Sequence, residues 1–562
     1  MKMRKNYFLI ILVTSLLLGW QLLRPGYYSM HDDLQVMRLY EMDRCFKDGQ
    51  IPCRWAPDLG QNYGQPLFNF YSALPYYLGE AIHLVGFSFV DTVKLLFLLS
   101  LFLSGLFSYL LAKEFLKSEA IALVSAIAYL AAPYHAVDIF VRGALSESWG
   151  LTLVPLVLLA IIRTCRQPKI TNSVLLAVSL AALLITHNIT VLISTPLLAV
   201  FGLYFLFISP NRTRQMAYLV PGILLGVGLS AFFLFPVLFE QAYIQTKFLT
   251  TDYFDFRAHF TTLSQLFTKL SWGYGPSRFN SYQYPGTLSF FVGLLPILSL
   301  LATPVVLYLN RKDKKTTFII LITFSLCLFY LFMTHARSVL IWEQFKTLEF
   351  VQFPWRFLGP TTLLTSLLIG FGLESVVIQS KNMAKLVSFI IAFLISVNFS
   401  YFRFEKYLPD LTDETKLAGA EYNNQIRGAL LDYLPKTVKL IPETKAPAAP
   451  VVLVGDVNTN YFDKRSNYFS SEFDIYTDEA TIQFPVMDFP GWTVYQNRKG
   501  TPVKFDNDND YGLITMNLAK GHHLVQGFFE NTPLRTTSNL ITFGSGLILA
   551  SWLILVSKKN EN

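Results

Sequence analysis

The chain has 562 residues, of which 52% are hydrophobic, 15% aromatic and only 15% charged, and its mean hydropathy is +0.40. This composition excludes a soluble globular protein and indicates an integral membrane protein. The net charge of +8 does not indicate nucleic acid binding. The basic residues lie mainly in short loops beside apolar segments, where membrane topology and anionic lipids explain them.

Apolar stretches of membrane-spanning length recur along the chain. Crossing the hydrocarbon layer takes about 20 largely apolar residues as helix, because every backbone amide must be bonded within its own segment. The first stretch is followed by no small-residue cleavage site, so we interpret it as an uncleaved anchor. The candidate spans are residues 7–23, 95–111, 120–134, 149–162, 174–185, 189–208, 218–238, 288–309, 316–333, 357–378, 386–401 and 540–556.

Basic residues occupy every second connection between these spans. The basic segments are residues 1–5, 113–117, 163–169, 212–214, 311–315, 381–385 and 558–559. Because Lys and Arg are retained on the cytoplasmic side, this parity predicts an even number of spans, about twelve, with both termini in the cytoplasm. Four large segments are then predicted to lie outside, at residues 24–92, 138–148, 241–287 and 402–535.

The external segments differ in their patterns. Residues 33–46 carry apolar side chains at near-helical spacing, which predicts a helix lying on the membrane surface. Residues 66–85 are rich in aromatic side chains and are predicted to sit at the headgroups or to re-enter partway. Residues 411–440 are expected to be helical. Residues 445–450, rich in Ala and Pro, are predicted to be the linker before a β domain.

Alternating runs from residue 451 onward are separated by turn residues, which predicts an antiparallel β domain. The predicted domains are a transmembrane module at residues 1–401, an extracytoplasmic domain at 402–535 that is β-rich from about 451, and a last transmembrane helix with a cytoplasmic tail at 536–562. Trp492 and its aromatic neighbours are expected to form the core of the β domain, with stacking on a sugar ring as the alternative.

The sequence His31-Asp32-Asp33 follows the first span by a few residues. Two carboxylates and an imidazole at the mouth of a membrane protein indicate chemistry on a lipid-borne substrate. Cys45 and Cys53 lie in the same external segment and are predicted to close a small disulfide loop, whereas Cys165 and Cys327 lie near or within the membrane. No phosphate-binding glycine loop or nucleophile triad is recognisable.

Several motifs resemble a family of bacterial multispanning membrane proteins described as 6-pyruvoyl-tetrahydropterin synthase-related. The motifs are His31-Asp32 with Arg38, residues 49–55, 64–71 and 74–77, Arg142-Gly143-Ala144 with Glu147, Thr186-His187-Asn188, Phe353-Pro354-Trp355-Arg356, Asp432-Tyr433-Leu434-Pro435 and Phe489-Pro490-Gly491-Trp492. The match spans nearly the whole chain. The family description is not to be taken literally, because the soluble pterin enzyme needs a histidine-ligated zinc and the eight histidines here offer no such cluster.

The architecture is similar to that of the GT-C membrane glycosyltransferases. The fold that this resemblance implies is mainly α, a GT-C-like body of about twelve transmembrane helices in the bacterial cytoplasmic membrane, with an external antiparallel β domain near the C-terminus. It also implies a polyprenyl-phosphate-linked sugar as donor and an envelope glycan, lipid or protein as acceptor. The expected partners are therefore these substrates and membrane lipids, without nucleic acid.

The chemistry can be argued from the residues. An acceptor hydroxyl is a poor nucleophile at neutral pH, and a carboxylate can remove its proton as it attacks the anomeric carbon. Asp32 is the predicted base, with Asp33 beside it. The departing polyprenyl phosphate needs cationic partners, for which Arg142 and Arg356 are the first candidates and Arg337 and Lys247 the second. A single displacement inverts the anomer. Ligand spacing indicates no metal site, and the use of a divalent metal in the reaction is left as an open alternative.

Each candidate residue also has a purely structural interpretation. Asp32 and Asp33 can cap the following helix, which is the favoured interpretation for Asp33. His31 can simply be a hydrogen-bonded neighbour, and Arg142 and Glu147 can form a local ion pair. His187 and Asn188 can end a helix, Trp355 and Arg356 can form an interfacial anchor, and Asn69 and Tyr71 can belong to an aromatic belt.

Arg38 belongs to the acidic motif and is a further substrate-binding candidate.

Two functions of other classes remain open. A dozen helices with an external domain also suit a transporter or flippase of a lipid-linked substrate, although the spans carry almost no charged residues and coupled transporters usually place ionisable groups at mid-membrane. A non-catalytic envelope scaffold is the third interpretation.

Overall fold

The computed structural model describes residues 5–278, 288–377, 383–497 and 500–561. The chain is mainly helical and carries one larger antiparallel sheet near its C-terminus. The α-helices are α1 (Lys5–Leu18), α2 (Gln35–Lys47), α3 (Leu67–Phe70), α4 (Leu74–His83), α5 (Phe89–Phe115), α6 (Glu119–Leu130), α7 (Pro133–Ala136), α8 (Leu145–Arg166), α9 (Ile170–Thr186), α10 (Asn188–Phe207), α11 (Arg212–Leu229), α12 (Ala231–Phe239), α13 (Leu263–Phe267), α14 (Leu294–Asn310), α15 (Lys314–Met333), α16 (Val339–Gln344), α17 (Leu358–Val377), α18 (Met383–Asn398), α19 (Asp413–Lys416), α20 (Gly419–Gly428) and α21 (Pro533–Glu561).

Every predicted span falls on one of these helices or on a bent pair. Within the described residues, seven helices are long and apolar enough to cross a membrane, and two bent pairs raise the number to nine. The remaining three predicted spans fall on the shorter apolar helices α1, α9 and α14. The membrane class is therefore confirmed, whereas the number twelve and the orientation of the termini stay predictions. Residues 1–4 of the first basic segment and residues 381 and 382 of another lie outside the described residues.

Two of the apolar segments are bent. The chain turns by 40° between α6 and the helical segment Pro133–Arg142, and by 75° between α11 and α12. The segment after the first bend begins at Pro133, and a proline has no amide hydrogen to donate to the preceding helix. The segment Val137–Arg142 is a π-helix and ends at Gly143, whose φ of 65° is left-handed.

The helix predicted at residues 33–46 is present as α2, but it does not lie on a membrane surface. Its apolar face is buried, and so are the charged side chains of Arg38, Glu41 and Asp43. Helices α4, α5 and α20 pack around it, and they cover the face that the sequence pattern assigned to water. The aromatic stretch that follows forms only the short helices α3 and α4, so it does not cross the membrane as a helix.

The β domain is confirmed. Its strands are β3 (Val451–Val454), β4 (Val457–Lys464), β5 (Tyr468–Met487), β6 (Trp492–Gln496) and β7 (Leu513–Phe529). They pair in the order β3-β5-β7-β6, with β4 also paired to β5, and every pairing is antiparallel. Trp492 lies in the core of this domain, as expected. Of the stretch predicted to be helical at 411–440, only α19 and α20 form α-helix.

Two links fasten the first external segment. Strand β1 (Tyr27–Tyr28) pairs with β2 (Tyr407–Leu408) in a small antiparallel sheet. The predicted disulfide is present between Cys45 and Cys53, whose Cα atoms are 5.5 Å apart, and it joins the end of α2 to the loop that follows. Cys165 and Cys327 are free and buried.

Candidate functional site

A cavity of about 860 Å³ lies between the external segments and the ends of the membrane helices. Eleven of the twelve site residues predicted from the sequence line it, and Asn69 is the exception. The eleven are His31, Asp32, Asp33, Arg38, Tyr71, Arg142, Glu147, His187, Asn188, Trp355 and Arg356. Residues that are far apart in the sequence therefore meet around one space.

The backbone of the acidic motif is attached to the end of the π-helix. The amide of His31 donates to the carbonyl of Val141 at 3.0 Å, and that of Asp32 donates to Arg142 at 2.9 Å. Gly143 permits this close approach, because a Cβ at that position would collide with the side chain of Met30. Asp32 is thus held directly beside Arg142.

Only one oxygen of the Asp32 carboxylate accepts hydrogen bonds from described residues. Its Oδ2 accepts hydrogen bonds from Arg38 Nη1 at 2.8 Å and from Gln35 Nε2 at 2.9 Å. No described residue donates to Oδ1, and the side chain remains 37% exposed at the cavity. Neither oxygen caps α2, whose N-cap residue is Leu34 and has no side-chain cap bond. The capping interpretation of Asp32 is therefore wrong.

Arg38 connects the acidic motif to two other external segments. Its Nη1 also donates to the Tyr71 hydroxyl at 2.9 Å, and its Nη2 lies 3.5 Å from Asp432 Oδ2. The guanidinium lies over the Tyr71 ring, 4.2 Å from the centroid. Burial raises the pKa of Asp432 to about 6, although Arg38 opposes the change. Tyr71 is therefore part of the cavity wall, contrary to the aromatic-belt interpretation.

Asp33 also fails to cap α2, contrary to the favoured interpretation. Its Oδ2 accepts from Lys416 Nζ at 2.6 Å, because α19 brings this lysine to the start of α2. Burial raises the pKa of Asp33 to about 6, with the nearby Lys416 acting in the opposite direction. The neighbouring His31 has its Nε2 at 2.7 Å from the carbonyl of Tyr274. Asp33 is thus paired with Lys416, whereas Asp32 is paired with Arg38.

A buried ion cluster forms another part of the cavity wall. Arg142 Nη1 donates to Asp138 and, at 2.8 Å, to Glu147, and Arg356 Nε donates to the same oxygen of Glu147 at 3.2 Å. The hydroxyl of Tyr134 donates to the other Glu147 oxygen at 2.6 Å. No described residue accepts a hydrogen bond from Nη2 of either arginine. Each guanidinium is therefore oriented by its acidic partners and keeps unused donors.

Trp355 and Arg356 do not form an interfacial anchor, and both side chains are buried. Arg356 Nη1 donates to the carbonyl of Val351 at 2.8 Å and to Gln352 Oε1 at 3.1 Å. The ring of Trp355 stacks on Phe353. The guanidinium of Arg142 lies over the Trp355 ring, 4.5 Å from the ring centroid. The ion cluster thus holds this segment inside the protein.

His187 and Asn188 stand at the start of α10 and also line the cavity, so both interpretations of this pair apply. His187 Nδ1 lies 2.7 Å from the Thr190 hydroxyl, and Asn188 Nδ2 donates to the carbonyl of Phe70 at 3.4 Å.

Three sequence candidates lie elsewhere. Asn69 is buried in a separate polar cluster, where it accepts from Arg54 at 3.0 Å and donates to Glu240 at 2.7 Å. Arg337 and Lys247 are exposed and are absent from the lining of the cavity. The phosphate-binding role suggested for these two residues is therefore not supported.

Sequence reasoning missed several residues of the cavity wall. Asp432 belonged to a recognised motif, Asp432-Tyr433-Leu434-Pro435, but no chemistry pointed to it. Other polar residues of the wall carried no local signal, because only the fold brings them to the cavity; they include Gln352, Lys416, Glu421, Asn424 and Gln425. Among the described residues, no group of three or more His, Cys, Asp or Glu side chains could hold a metal ion.

The fold and this cavity define a polytopic membrane protein with a charged cavity at the ends of its membrane helices. A family model described as "6-pyruvoyl-tetrahydropterin synthase related domain; membrane protein" matches residues 68–404, more than half of the chain. The chain belongs to this family, as its motifs suggested.

The individual relatives are distant. An uncharacterized protein of Lactococcus lactis subsp. cremoris (strain MG1363) is 23% identical over 241 residues, which are 42% of this chain and 39% of that protein. The arabinofuranosyltransferase AftD from Mycobacteria is 18% identical, with 80% of this chain and 30% of that chain covered and a TM-score of 0.46.

Two further solved structures are similar at lower scores. The oligosaccharyltransferase AglB from Archaeoglobus fulgidus is 11% identical, with 79% of this chain and 61% of that chain covered and a TM-score of 0.43. ArnT from Cupriavidus metallidurans is 14% identical, with 66% and 78% covered and a TM-score of 0.28. The chain spans about two fifths of the curated relative and less than a third of AftD.

Proposed function

We propose that this protein is a membrane glycosyltransferase that moves a sugar from a polyprenyl-phosphate donor to an acceptor outside the cytoplasmic membrane. One observation carries the proposal. A single cavity combines the Asp32 carboxylate, two arginines with unused donors, and an apolar wall made by the ends of membrane helices. The carboxylate can accept the proton, the arginines can bind the phosphate leaving group, and the apolar wall can hold the lipid tail.

The apolar wall suits a substrate that stays dissolved in the membrane. Ile189 and Leu192 lie in the first turns of α10, and Val237 and Leu238 lie in the last turn of α12. A polyprenyl chain can lie against these helix ends while its phosphate enters the polar part of the cavity. A soluble nucleotide sugar would gain nothing from such a wall.

The reaction is a single displacement. The acceptor hydroxyl gives its proton to Asp32 while its oxygen forms a bond to the anomeric carbon of the donor sugar. The bond between that carbon and the phosphate oxygen breaks, and its electron pair stays on the phosphate. Because the new bond forms opposite the departing one, the anomeric configuration is inverted.

Arg142 and Arg356 are suited to the leaving group. The polyprenyl phosphate gains negative charge as the bond breaks, and charge-assisted hydrogen bonds from oriented guanidinium groups stabilise that charge. Glu147 holds both arginines in place, with Asp138 holding Arg142, so their unused Nη2 donors are fixed before the substrate arrives. Asp32 is our choice of base over Asp33, because one oxygen of Asp33 is paired with Lys416 and the other, Oδ1, is buried.

The test compares wild type with Asp32→Asn and with Asp478→Asn, a control at an exposed carboxylate of the β domain. Full-length proteins in vesicles receive a panel of radiolabelled polyprenyl-phosphate sugars and envelope extract as acceptor. We expect Asp32→Asn to lower the transfer rate by about 10²- to 10⁴-fold, the usual contribution of a general base, and to leave binding of undecaprenyl phosphate unchanged. The control should transfer at the wild-type rate.

Two results would contradict the proposal. Transfer by a correctly inserted Asp32→Asn protein at the wild-type rate would show that Asp32 is not the base. Movement of labelled lipid-linked sugar across the vesicle membrane by the wild type, without transfer to any acceptor, would show that the protein is a transporter.

A further inference from the structure

The cavity has a second polar region, formed by the start of α2, by α19 and α20, and by the segment that follows α20. Its composition differs from that of the region around Arg142 and Arg356, because carboxylates outnumber cations. The charged residues of this region are Asp32, Asp33, Arg38, Lys416, Glu421 and Asp432.

Both cations of this region are already paired. Lys416 is only 1% exposed, and its Nζ donates to Asp33 at 2.6 Å and to Glu421 at 2.8 Å. Arg38 lies between Asp32 and Asp432. Two carboxylates therefore compensate each cation, and the region carries an excess of negative charge toward the cavity. An anionic group would be repelled here, whereas the carboxylate oxygens can accept further hydrogen bonds.

Two amides complete the wall of this region. Asn424 is exposed on α20 and lines the cavity. Gln425 also lines it and is 3% exposed; its Nε2 donates to the carbonyl of Lys416 at 2.7 Å, but its Oε1 has no partner among the described residues. A buried acceptor without a donor is costly, and a ligand hydroxyl can supply the missing hydrogen bond.

We infer that this region is the acceptor subsite and that it binds an uncharged, hydroxyl-rich sugar. The inference rests on the proposed function and names the substrate class of its second substrate. Hydroxyl groups match both the carboxylates and the amides, since each hydroxyl donates one hydrogen bond and accepts others. Asp32 belongs to this region and is also joined to Arg142 through the backbone, so a bound acceptor hydroxyl meets the base beside the phosphate site.

Gly428, at the end of α20, offers a direct test. It lines the cavity, and a Cβ at this position would meet only Leu34 Cδ2, at an ordinary contact distance of 3.6 Å. The variant Gly428→Trp would therefore fill the subsite without straining the backbone. Asn423→Trp is the matched control, because this residue is exposed on the same helix and is absent from the cavity lining. Glu421→Gln is a second variant that keeps the shape of the side chain.

The experiment uses the full chain in detergent and two kinds of probe. Ligand-detected NMR measures binding of neutral methyl glycosides of glucose, galactose and mannose and of the matching uronic acids, and a thermal shift measures binding of undecaprenyl phosphate. We expect wild type and Asn423→Trp to bind at least one neutral glycoside and no uronic acid. Gly428→Trp and Glu421→Gln should bind that glycoside about tenfold more weakly, with undecaprenyl phosphate binding retained.

The two proposals fail in different ways. The subsite is refuted if wild type binds no neutral glycoside, if it binds the uronic acids equally well, or if Gly428→Trp binds glycosides as wild type does. Loss of undecaprenyl phosphate binding in Gly428→Trp, with glycoside binding intact, would place the lipid phosphate in this region and also refute it. Absence of undecaprenyl phosphate binding in wild type contradicts the proposed function alone, because the glycoside measurement still decides the subsite.

Discussion

Gln352 has a strained backbone conformation and contacts Arg356, which we propose binds phosphate. Its φ of 64° and ψ of −47° place it in a tight turn, and the amide of Phe353 bonds to the carbonyl of Val351 across it. Such a turn is rare for a residue with a side chain and costs free energy. The side chain compensates, because Oε1 accepts from Arg356 and Nε2 donates to the carbonyl of Leu249 at 2.9 Å.

Gln352→Gly should relieve the backbone strain and release Arg356. We expect thermal stability equal to or above that of wild type, because glycine adopts this conformation at little cost, together with undecaprenyl phosphate binding about tenfold weaker. Thermal unfolding and lipid binding in detergent measure the two effects separately.

Asn497→Gly is the control for this variant. Asn497 also has a left-handed backbone, with φ 54°, and its side chain accepts one hydrogen bond from the amide of Leu524, in the β domain. Lipid binding should be unchanged in this variant. A Gln352→Gly protein that binds undecaprenyl phosphate as tightly as wild type would show that the turn has no part in positioning Arg356.

At the scale of elements, α2 shows why an amphipathic pattern does not identify a surface helix. The helix is packed on several sides, and its buried Gln35 and Arg38 contact other segments, at the carbonyl of Gly143 and at Asp432. The disulfide between Cys45 and Cys53 fixes the end of this helix to the loop that carries Arg54 and Trp55. The disulfide and the acidic motif therefore lie at opposite ends of the same helix.

Replacing both cysteines by serine should destabilise the external part of the protein. A disulfide that closes a short loop contributes about 2–3 kcal/mol, chiefly by restricting the unfolded chain. We expect a lower unfolding temperature for the Cys45→Ser, Cys53→Ser protein in detergent. Addition of reductant should lower the unfolding temperature of wild type by a similar amount and leave the variant unaffected. Equal unfolding temperatures for the oxidised wild type and the variant would contradict the prediction.

At the scale of the whole molecule, the β domain is docked on the membrane module. Its core includes Trp55, Tyr63, Phe70 and Ile244, which belong to the first and third external segments. Lys464 of β4 is inserted among backbone carbonyls of the first external segment, including that of Asn62. The β domain is therefore packed together with these segments, and Phe70 and Ile244 of the shared core also line the cavity.

The orientation of the chain can be tested by labelling single cysteines. Glu443→Cys and Lys312→Cys place a thiol at exposed positions that the charge pattern assigns to opposite sides of the membrane. Cys165 and Cys327 are replaced by alanine, and the native disulfide is kept. We expect a membrane-impermeant maleimide to label Glu443→Cys in spheroplasts and to label Lys312→Cys only after permeabilisation. The reverse pattern would place the acidic motif in the cytoplasm and end the proposed reaction.

The sequence alone determined the membrane class, the positions of the apolar helices, the β domain and most of the candidate site. Hydrophobic length and alternation report local burial, and motifs such as Trp355-Arg356 mark residues even when their partners are unknown. The tertiary structure decided which side chains pair. The sequence favoured Asp32 as the base, but it could not predict that Asp33 pairs with Lys416 instead of capping α2, because this lysine lies 383 residues further along the chain. It likewise could not assign Asn69 to another cluster or bring Gln352 and α20 to the cavity, because such contacts depend on packing between segments that are distant in the chain.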